Sequence, residues 1–234
     1  MCNNLKVIKA PSLQRGQRCS PPVDGEIPPN ELQHIGAFGI ITPMHPAIFL
    51  DRDGVIIENV PSYVRSWDDV RFIPHALEAI SMVRTSPYKL VIVTNQSAIG
   101  RGIISMQQAW EINRQLVDTI QQASGRIDGI FMCPHAPGDE CLCRKPRPGL
   151  LLQAAQELDL DLGQSILIGD ALSDLQAGQA AGLRQTILVR TGRGEIQKDL
   201  PQSLSMKPFK VAADLAEALS FIIRSSSSPN PSVA

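Results

Sequence analysis

Short apolar runs recur along the chain, separated by segments in which apolar residues follow helical spacing. A strand of a parallel sheet is buried on both faces, so it is a continuous apolar run rather than an alternation. The runs predict strands at residues 47–50, 89–94, 129–133, 165–170, 186–190 and 210–212. The segments between them predict helices at 74–83, 105–123, 148–158, 173–182 and 214–224. This alternation is typical of an α/β fold with right-handed βαβ units and a mostly parallel sheet.

Local signals predict where some of these helices begin. Pro74 suits a first helical position, where its missing N–H costs nothing. Ser105 with Gln108, and Ser173 with Gln176, have the spacing of capping boxes.

Polar side chains follow three of the predicted strands. Asp51 and Asp53 come after the first strand, Thr94 and Asn95 end the second, and Asp170 ends the fourth. Ligands of open α/β sheets bind at the carboxyl ends of the strands. We therefore expect these side chains to converge at one edge of the sheet.

Carboxylates at adjacent strand ends, with a lysine and a hydroxyl nearby, indicate magnesium-assisted phosphoryl transfer. In this interpretation Asp51 is the nucleophile and forms an aspartyl-phosphate. Asp53 is the general acid towards the leaving alkoxide and then the general base towards water. Thr94, Asn95 and Lys145 hold the phosphoryl oxygens as charge develops.

An isolated Asp-x-Asp-Gly also occurs in ordinary turns and in calcium loops. A calcium loop that began at Asp51 would need an oxygen ligand at position five, glycine at six and glutamate at twelve. The chain has Val55, Ile56 and Ser62 at those positions. The calcium loop is therefore excluded, and an ordinary turn remains the alternative.

Composition limits the partners and the compartment. The 234 residues carry a net charge of −1, so we expect neither nucleic acid nor an anionic membrane as a partner. No apolar run approaches the roughly 20 residues of a membrane span. The cysteines are odd in number, five in all, which favours a reducing compartment over a disulfide framework. We expect a cytoplasmic monomer.

The ends of the chain differ from its middle. Residues 1–43 are proline-rich and lack periodicity, which predicts a disordered or loosely packed N-terminal extension. Its basic residues precede the first acid, Asp24, which is also a weak feature of an organellar transit peptide. We expect one domain over residues 44–224 and a disordered tail over residues 225–234.

A compact set of metal-binding residue types occupies residues 133–143. Cys133, His135, Cys141 and Cys143 offer thiolates and an imidazole in a Cys₃His set that suits tetrahedral Zn²⁺. Four protein ligands leave no open position, so the predicted zinc is structural. Reduced cysteines beside a surface histidine are the alternative.

Four motifs resemble the signatures of the haloacid dehalogenase superfamily, in the same order along the chain. They are Phe49-Leu-Asp-Arg-Asp-Gly-Val55, Val93-Thr-Asn95, Lys145, and Ile168-Gly-Asp170 with Asp174 four residues later. The resemblance implies a Rossmann-like domain with helices on both faces, Mg²⁺ and an aspartate nucleophile. It also implies that Asp51 and Asp170 bind the cation through carboxylates and Asp53 through its carbonyl. We expect Asp174 either to orient these ligands or to cap a helix.

Further motifs resemble the heptose-1,7-bisphosphate 7-phosphatases of that superfamily. They lie at residues 94–102, 143–151 and 188–192. This resemblance implies a sugar bisphosphate as substrate, a role in nucleotide-heptose supply for surface polysaccharide, no large cap domain, and contact between Arg144 and the distal part of the substrate. The other expected substrate contacts are Arg52, Asn95, Gln96 and Ser97.

The chain departs from that pattern at two places that bear on the substrate. Ala171 stands where some heptose phosphatases have lysine, so the preferred anomer stays open, and the loop at 59–63 is slightly longer. Histidinol phosphate or another small phosphomonoester is the nearest alternative substrate. A nucleic-acid 3′-phosphatase would need a basic groove, which the net charge does not favour. An alternative of a different class is a catalytically silent, zinc-stapled binding module.

Overall fold

The computed structural model describes residues 44–226, with side chains to residue 224. The predicted N-terminal extension, with Cys2 and Cys19, lies outside the described residues, as does the predicted tail beyond residue 226. Within 44–226, none of the helices is long and apolar enough to cross a membrane.

One parallel sheet forms the centre of the described domain. Its six strands are β1 (His45–Leu50), β2 (Lys89–Asn95), β3 (Gly129–Cys133), β4 (Leu160–Gly169), β5 (Gln185–Val189) and β6 (Lys210–Ala212). Their order across the sheet is β3-β2-β1-β4-β5-β6, and every neighbouring pair is parallel. The order reverses beside β1, which is where a doubly wound fold forms its ligand crevice. The α/β, Rossmann-like prediction is confirmed.

Helices cover both faces of the sheet. They are α1 (Ala76–Met82), α2 (Ser97–Gly100), α3 (Met106–Gln122), α4 (Gly149–Leu158), α5 (Leu172–Ala180), α6 (Gly194–Gln197), α7 (Pro201–Leu204) and α8 (Leu215–Ser226). Short 3₁₀ turns occur at Trp67–Asp69 and Pro137–Asp139. No large cap domain interrupts the part of the chain that the structure describes.

Successive residues of β1 pack into two different apolar clusters, as a strand buried on both faces requires. Ile48 and Leu50 belong to the cluster that includes Ile80 of α1 and Leu116 of α3. Phe49, with Ala47, belongs to the opposite cluster, together with residues of α4. The site at the end of β1 is therefore supported from both sides of the sheet.

The starts of α1 and β4 differ from the sequence predictions. α1 begins at Ala76 rather than Pro74, because His75 adopts a left-handed conformation with φ of 62° and cannot continue a helix. β4 begins at Leu160, five residues before the predicted start at 165, and its early part pairs with His45 and Pro46 across a register shift. Several polar residues in this stretch hide it from a search for apolar runs.

The predicted capping box at the start of α5 is also wrong. Ala171 is the N-cap, and its backbone N–H donates to Oδ2 of Asp174 at 3.0 Å. Ser173 lies inside the helix. Asp174 therefore caps the helix, which was one of its two predicted roles.

Candidate active site

The buried ammonium group of Lys145 contacts residues of β2, of α5 and of the loop after β1. Its ammonium lies 3.0 Å from Oδ1 of Asp51 and 2.6 Å from Oδ1 of Asp174. It also donates to the carbonyl of Val93 in β2 at 2.8 Å. Oδ2 of Asp174 caps α5 while Oδ1 pairs with Lys145. A role of Asp174 in orienting the metal ligands stays a prediction.

Asn95 anchors Lys145 from the end of β2. The backbone N–H of Lys145 donates to Oδ1 of Asn95, and Nδ2 of Asn95 donates to the Lys145 carbonyl, both at 3.1 Å. This reciprocal pair fixes the loop before α4 against the sheet edge. Asn95 thereby positions the lysine in addition to lining the cavity.

Burial and charge together set the protonation of this group. Burial is the largest cause that raises the pKa of Asp51 to about 7, against the lowering effect of Lys145, and the neighbouring aspartates raise it further. For Lys145, burial alone would lower the pKa, but the carboxylates of Asp174 and Asp51 outweigh it, so the pKa is raised. The lysine is therefore a permanent cation, whereas Asp51 needs additional positive charge to stay ionised at neutral pH.

The carboxylate of Asp53 accepts hydrogen bonds from the guanidinium of Arg52 and the side-chain amide of Gln96. Nε and Nη2 of Arg52 donate to its two oxygens, both at 3.1 Å, and Nε2 of Gln96 donates to Oδ2 at 2.8 Å. Gln96 also donates to Oγ1 of Thr94 at 2.8 Å. The amide therefore links the carboxylate after β1 to the hydroxyl at the end of β2.

Arg52 was expected to contact the substrate, but its side chain lies behind Asp53. Its side chain is 1% exposed, it does not line the cavity, and Nη1 donates to Oδ1 of Asn113 in α3 at 2.8 Å. The guanidinium is enclosed by Asp53 and Asn113 rather than turned into the cavity. Its contacts make it a support for Asp53.

Asp170 lies at the end of β4 and is fully buried. Nη2 of Arg193 donates to its Oδ1 at 3.0 Å, while Nδ2 of Asn59 and the backbone N–H of Arg193 donate to Oδ2 at 2.6 and 2.9 Å. Two loops approach this carboxylate closely, each through a glycine. A Cβ on Gly54 or Gly192 would stand 2.1 or 2.4 Å from Oδ2, so only glycine allows the approach.

A cavity of about 580 Å³ opens over these strand ends, a size typical of a small-molecule site. Its predicted lining residues are Asp51, Asp53, Thr94, Asn95, Gln96, Ser97, Arg144, Lys145 and Asp174. The lining residues that the sequence analysis did not propose as site residues are Asn59, Val60, Pro61, Tyr63, Val64, Ser173 and Arg193. Arg193 follows the carboxyl end of β5, and this position could have indicated it.

The donor set fits a small, hard cation. Asp51, Asp170 and Asp174 each offer a carboxylate oxygen, and these oxygens lie within 4.8 Å of one another. Mg²⁺ prefers oxygen ligands and takes one or two protein carboxylates. Lys145 already neutralises Asp174, so Asp51 and Asp170 are the carboxylates best suited to the ion. The carboxylate of Asp53 is turned towards Arg52 and Gln96, which leaves its carbonyl as the group that could serve.

The predicted zinc ligands lie together in the loop that follows β3. The four donor atoms of Cys133, His135, Cys141 and Cys143 lie within 4.8 Å of one another. The recorded separations run from 3.3 Å, between Sγ of Cys143 and Sγ of Cys133, to 3.6 Å, between Sγ of Cys133 and Sγ of Cys141. These separations are slightly shorter than the edges of a tetrahedron around Zn²⁺, which are roughly 3.6 to 3.8 Å, while the number and type of the donors fit the metal. The three cysteines form no disulfide.

The Cys₃His cluster directly precedes two cations that line the cavity. Cys143 is followed directly by Arg144 and Lys145, and Nη1 of Arg144 donates to the carbonyl of His135 at 3.2 Å. A metal in the cluster would therefore hold the segment that delivers both cations to the cavity.

Comparisons with known proteins point to one group of enzymes. The HAD-hydrolase-like family model matches residues 142–218. The D-glycero-beta-D-manno-heptose-1,7-bisphosphate 7-phosphatase of Photorhabdus laumondii is 42% identical over 156 residues, which cover 63% of this chain and 82% of that protein. The Pasteurella multocida enzyme of the same name is 40% identical over 157 residues, or 64% and 84% of the two chains.

A similar solved structure is also a heptose 1,7-bisphosphate phosphatase. The D,D-heptose 1,7-bisphosphate phosphatase of Bordetella bronchiseptica, crystallised with magnesium and phosphate, superposes with a TM-score of 0.71 at 35% identity. The alignment covers 77% of this chain and 99% of that one.

Proposed function

The chain belongs to the family of haloacid-dehalogenase-like heptose-bisphosphate phosphatases, and we propose that it hydrolyses the 7-phosphate of D-glycero-D-manno-heptose 1,7-bisphosphate. The observation that carries the proposal is the buried group of Asp51, Lys145 and Asp174 at the floor of the cavity. A carboxylate held beside a permanent cation suits attack on a phosphoryl group.

Asp51 is the proposed nucleophile, and its contacts identify the attacking oxygen. Lys145 and the backbone N–H of Arg52 both bind Oδ1, at 3.0 and 2.8 Å. Oδ2 is therefore the oxygen that forms the bond to phosphorus, giving an aspartyl-phosphate. The bond between phosphorus and the sugar oxygen breaks, and the leaving oxygen takes its proton from Asp53.

The second step returns Asp51 to its starting state. Asp53, now ionised, removes a proton from water, and the resulting hydroxide attacks phosphorus. The bond from phosphorus to Oδ2 breaks, and inorganic phosphate leaves. Thr94 and Lys145 lie where they can donate to the phosphoryl oxygens in both steps.

Two metals complete the proposal. A Mg²⁺ ion held by Asp51, Asp170 and the carbonyl of Asp53 would offset the repulsion between the Asp51 anion and the phosphate dianion. The Cys₃His cluster would hold a structural Zn²⁺ ion. Reduced thiols at this cluster fit a cytoplasmic enzyme, and we propose that it acts there to supply nucleotide-heptose for surface polysaccharide.

The substrate lies with its reacting phosphate over Asp51 and its distal part towards Arg144. Asn95, Gln96 and Ser97, at the end of β2 and the start of α2, also line the cavity and offer polar groups to the substrate. The cavity volume suits one sugar bisphosphate.

Phosphate release with Mg²⁺ tests this function. Both anomers of heptose 1,7-bisphosphate are compared with histidinol phosphate and fructose 1,6-bisphosphate, with wild type and Asp51→Asn in parallel. We expect a preference for one heptose anomer, which is lost in the variant. Preference for histidinol phosphate would reassign the substrate, and no turnover of any compound would overturn the proposal.

A further inference from the structure

Arg193 makes the most extensive side-chain contact with Asp170. Its Nη2 donates to Oδ1 at 3.0 Å and its Nε to Oδ2 at 3.3 Å, and its backbone N–H also donates to Oδ2 at 2.9 Å. Asp170 is fully buried, whereas Arg193 lines the cavity. The guanidinium therefore stands between the carboxylate and the cavity.

Three cations neutralise the carboxylates of this site, and they differ in their access to solvent. The side chains of Lys145 and Arg52 are 2% and 1% exposed, while that of Arg193 is 56% exposed. Separating either buried cation from its carboxylate within the protein would leave an uncompensated buried charge. Of the three, Arg193 is the cation that can move into water at little cost.

Asp170 itself is not free to move. Asn59 donates to Oδ2 at 2.6 Å, and the backbones at Gly54 and Gly192 approach this oxygen closely. With three donors at Oδ2, the oxygen most accessible to another cation is Oδ1. Its recorded partner is Nη2 of Arg193.

We propose that Arg193 is an exchangeable counter-ion, which pairs with Asp170 until the catalytic cation binds and is then displaced into the cavity. The inference rests on the proposed function, because it takes Asp170 as a ligand of Mg²⁺. Arg193 neutralises the charge of buried Asp170 in the metal-free enzyme. Because it competes with the cation for this carboxylate, it lowers the apparent affinity of the site for the cation.

Removal of the side chain isolates this effect. Arg193→Ala retains the backbone N–H that binds Oδ2, so Asp170 keeps that contact. Arg144→Ala is the matched control, since it removes another guanidinium from the same cavity. The recorded contact of Arg144 is with the carbonyl of His135 rather than with Asp170.

The test is titration of the zinc-loaded, full-length protein with Mg²⁺ alone by calorimetry, and with Mn²⁺ alone by electron paramagnetic resonance. Wild type, Arg193→Ala, Arg144→Ala and Asp170→Asn are compared without substrate. We expect Arg193→Ala to bind the cation about tenfold more tightly, since a hydrogen-bonded ion pair no longer competes. Arg144→Ala should change the affinity by less than about twofold, and Asp170→Asn should lose the site.

Three results would overturn the inference: unchanged affinity in Arg193→Ala, weaker binding in that variant, or equal tightening in both arginine variants. Equal tightening would mean a general effect of charge rather than competition at Asp170. Failure of the proposed function is distinguishable, because the cation titrations need no substrate. Absence of heptose bisphosphate turnover, with the expected titrations, would overturn the substrate and leave the counter-ion role supported.

Discussion

The ammonium group of Lys145 lies 3.0 Å from Oδ1 of Asp51, and both side chains are buried. Burial nevertheless raises the pKa of Asp51 to about 7, with Asp174 and Asp170 adding to the effect of burial. The single lysine is shared with Asp174 at 2.6 Å, so it does not compensate Asp51 completely. Ionisation of Asp51, the proposed nucleophile, is therefore unfavourable near neutral pH in the protein without Mg²⁺.

The raised pKa of Asp51 predicts how the substitution Asp51→Asn changes stability with pH. The pKa of Asp51 rises on folding from 3.8 to about 7, so the folded protein binds this proton more readily than the unfolded chain between those values. The contribution of Asp51 to stability is fully present below pH 3.8 and is lost as the pH rises through about 7. The variant has no proton to lose, so it should become the more stable protein as the pH increases.

Urea unfolding of the zinc-loaded, Mg²⁺-free proteins checks this prediction. Between about pH 5.5 and pH 8, the free energy of unfolding of Asp51→Asn should gain roughly 2 kcal/mol on wild type. Asp118→Asn, at an exposed position of α3, is the control and should follow wild type. Parallel curves for wild type and Asp51→Asn would contradict the raised pKa.

The positions of the strands and of the carboxylates at their ends could be predicted because both depend on short-range patterns. A strand buried on both faces must be apolar throughout, as Phe49 and Leu50 are, and polar groups that follow such strands must meet at one sheet edge. Cys133, His135, Cys141 and Cys143 could be grouped because their spacing is itself the evidence.

The missed features depend on partners that are distant in sequence. The direction of the Arg52 side chain is set by Asn113, 61 residues away. Arg193 reaches Asp170 from a loop beyond the next strand, 23 residues later. The capping role of Asp174 was one of two open alternatives, and its other oxygen pairs with Lys145, which lies 29 residues earlier in the chain. Local sequence contains no signal for such orientations.

Loss of zinc should weaken catalysis through Arg144 and Lys145. Cys143→Ser removes one ligand of the cluster immediately before both cations. We expect loss of bound zinc, a lower unfolding temperature, and a fall in kcat/KM of up to about 100-fold, since a displacement of about 1 Å can cost that much. Asn95 still holds the backbone of Lys145, so some activity should remain.

Metal analysis, thermal unfolding and phosphate release measure these effects in saturating Mg²⁺. Cys19→Ser is the matched control, because it replaces a cysteine that is not one of the four predicted ligands. Full activity of a zinc-free Cys143→Ser protein would show that the cluster does not position the cations.

Asn113 should affect turnover although it does not line the cavity. It accepts a hydrogen bond from Nη1 of Arg52 at 2.8 Å, and the same guanidinium holds both oxygens of Asp53. Asn113→Ala leaves a buried donor without its acceptor, so we expect a loss of about 1–3 kcal/mol in stability. Because Asp53 is the proposed acid and base, kcat should fall about tenfold while KM changes little.

The conservative variant separates positioning from simple destabilisation. Asn113→Asp retains an acceptor for Arg52 and should restore most of kcat, even if its buried charge lowers the unfolding temperature. Steady-state kinetics of wild type and both variants, at a temperature where all are folded, give the comparison. Arg52→Lys is the third variant in this comparison. Lysine cannot span both oxygens of Asp53, so kcat should fall in this variant too. A rise in KM with unchanged kcat in that variant would instead support the substrate contact expected from the sequence.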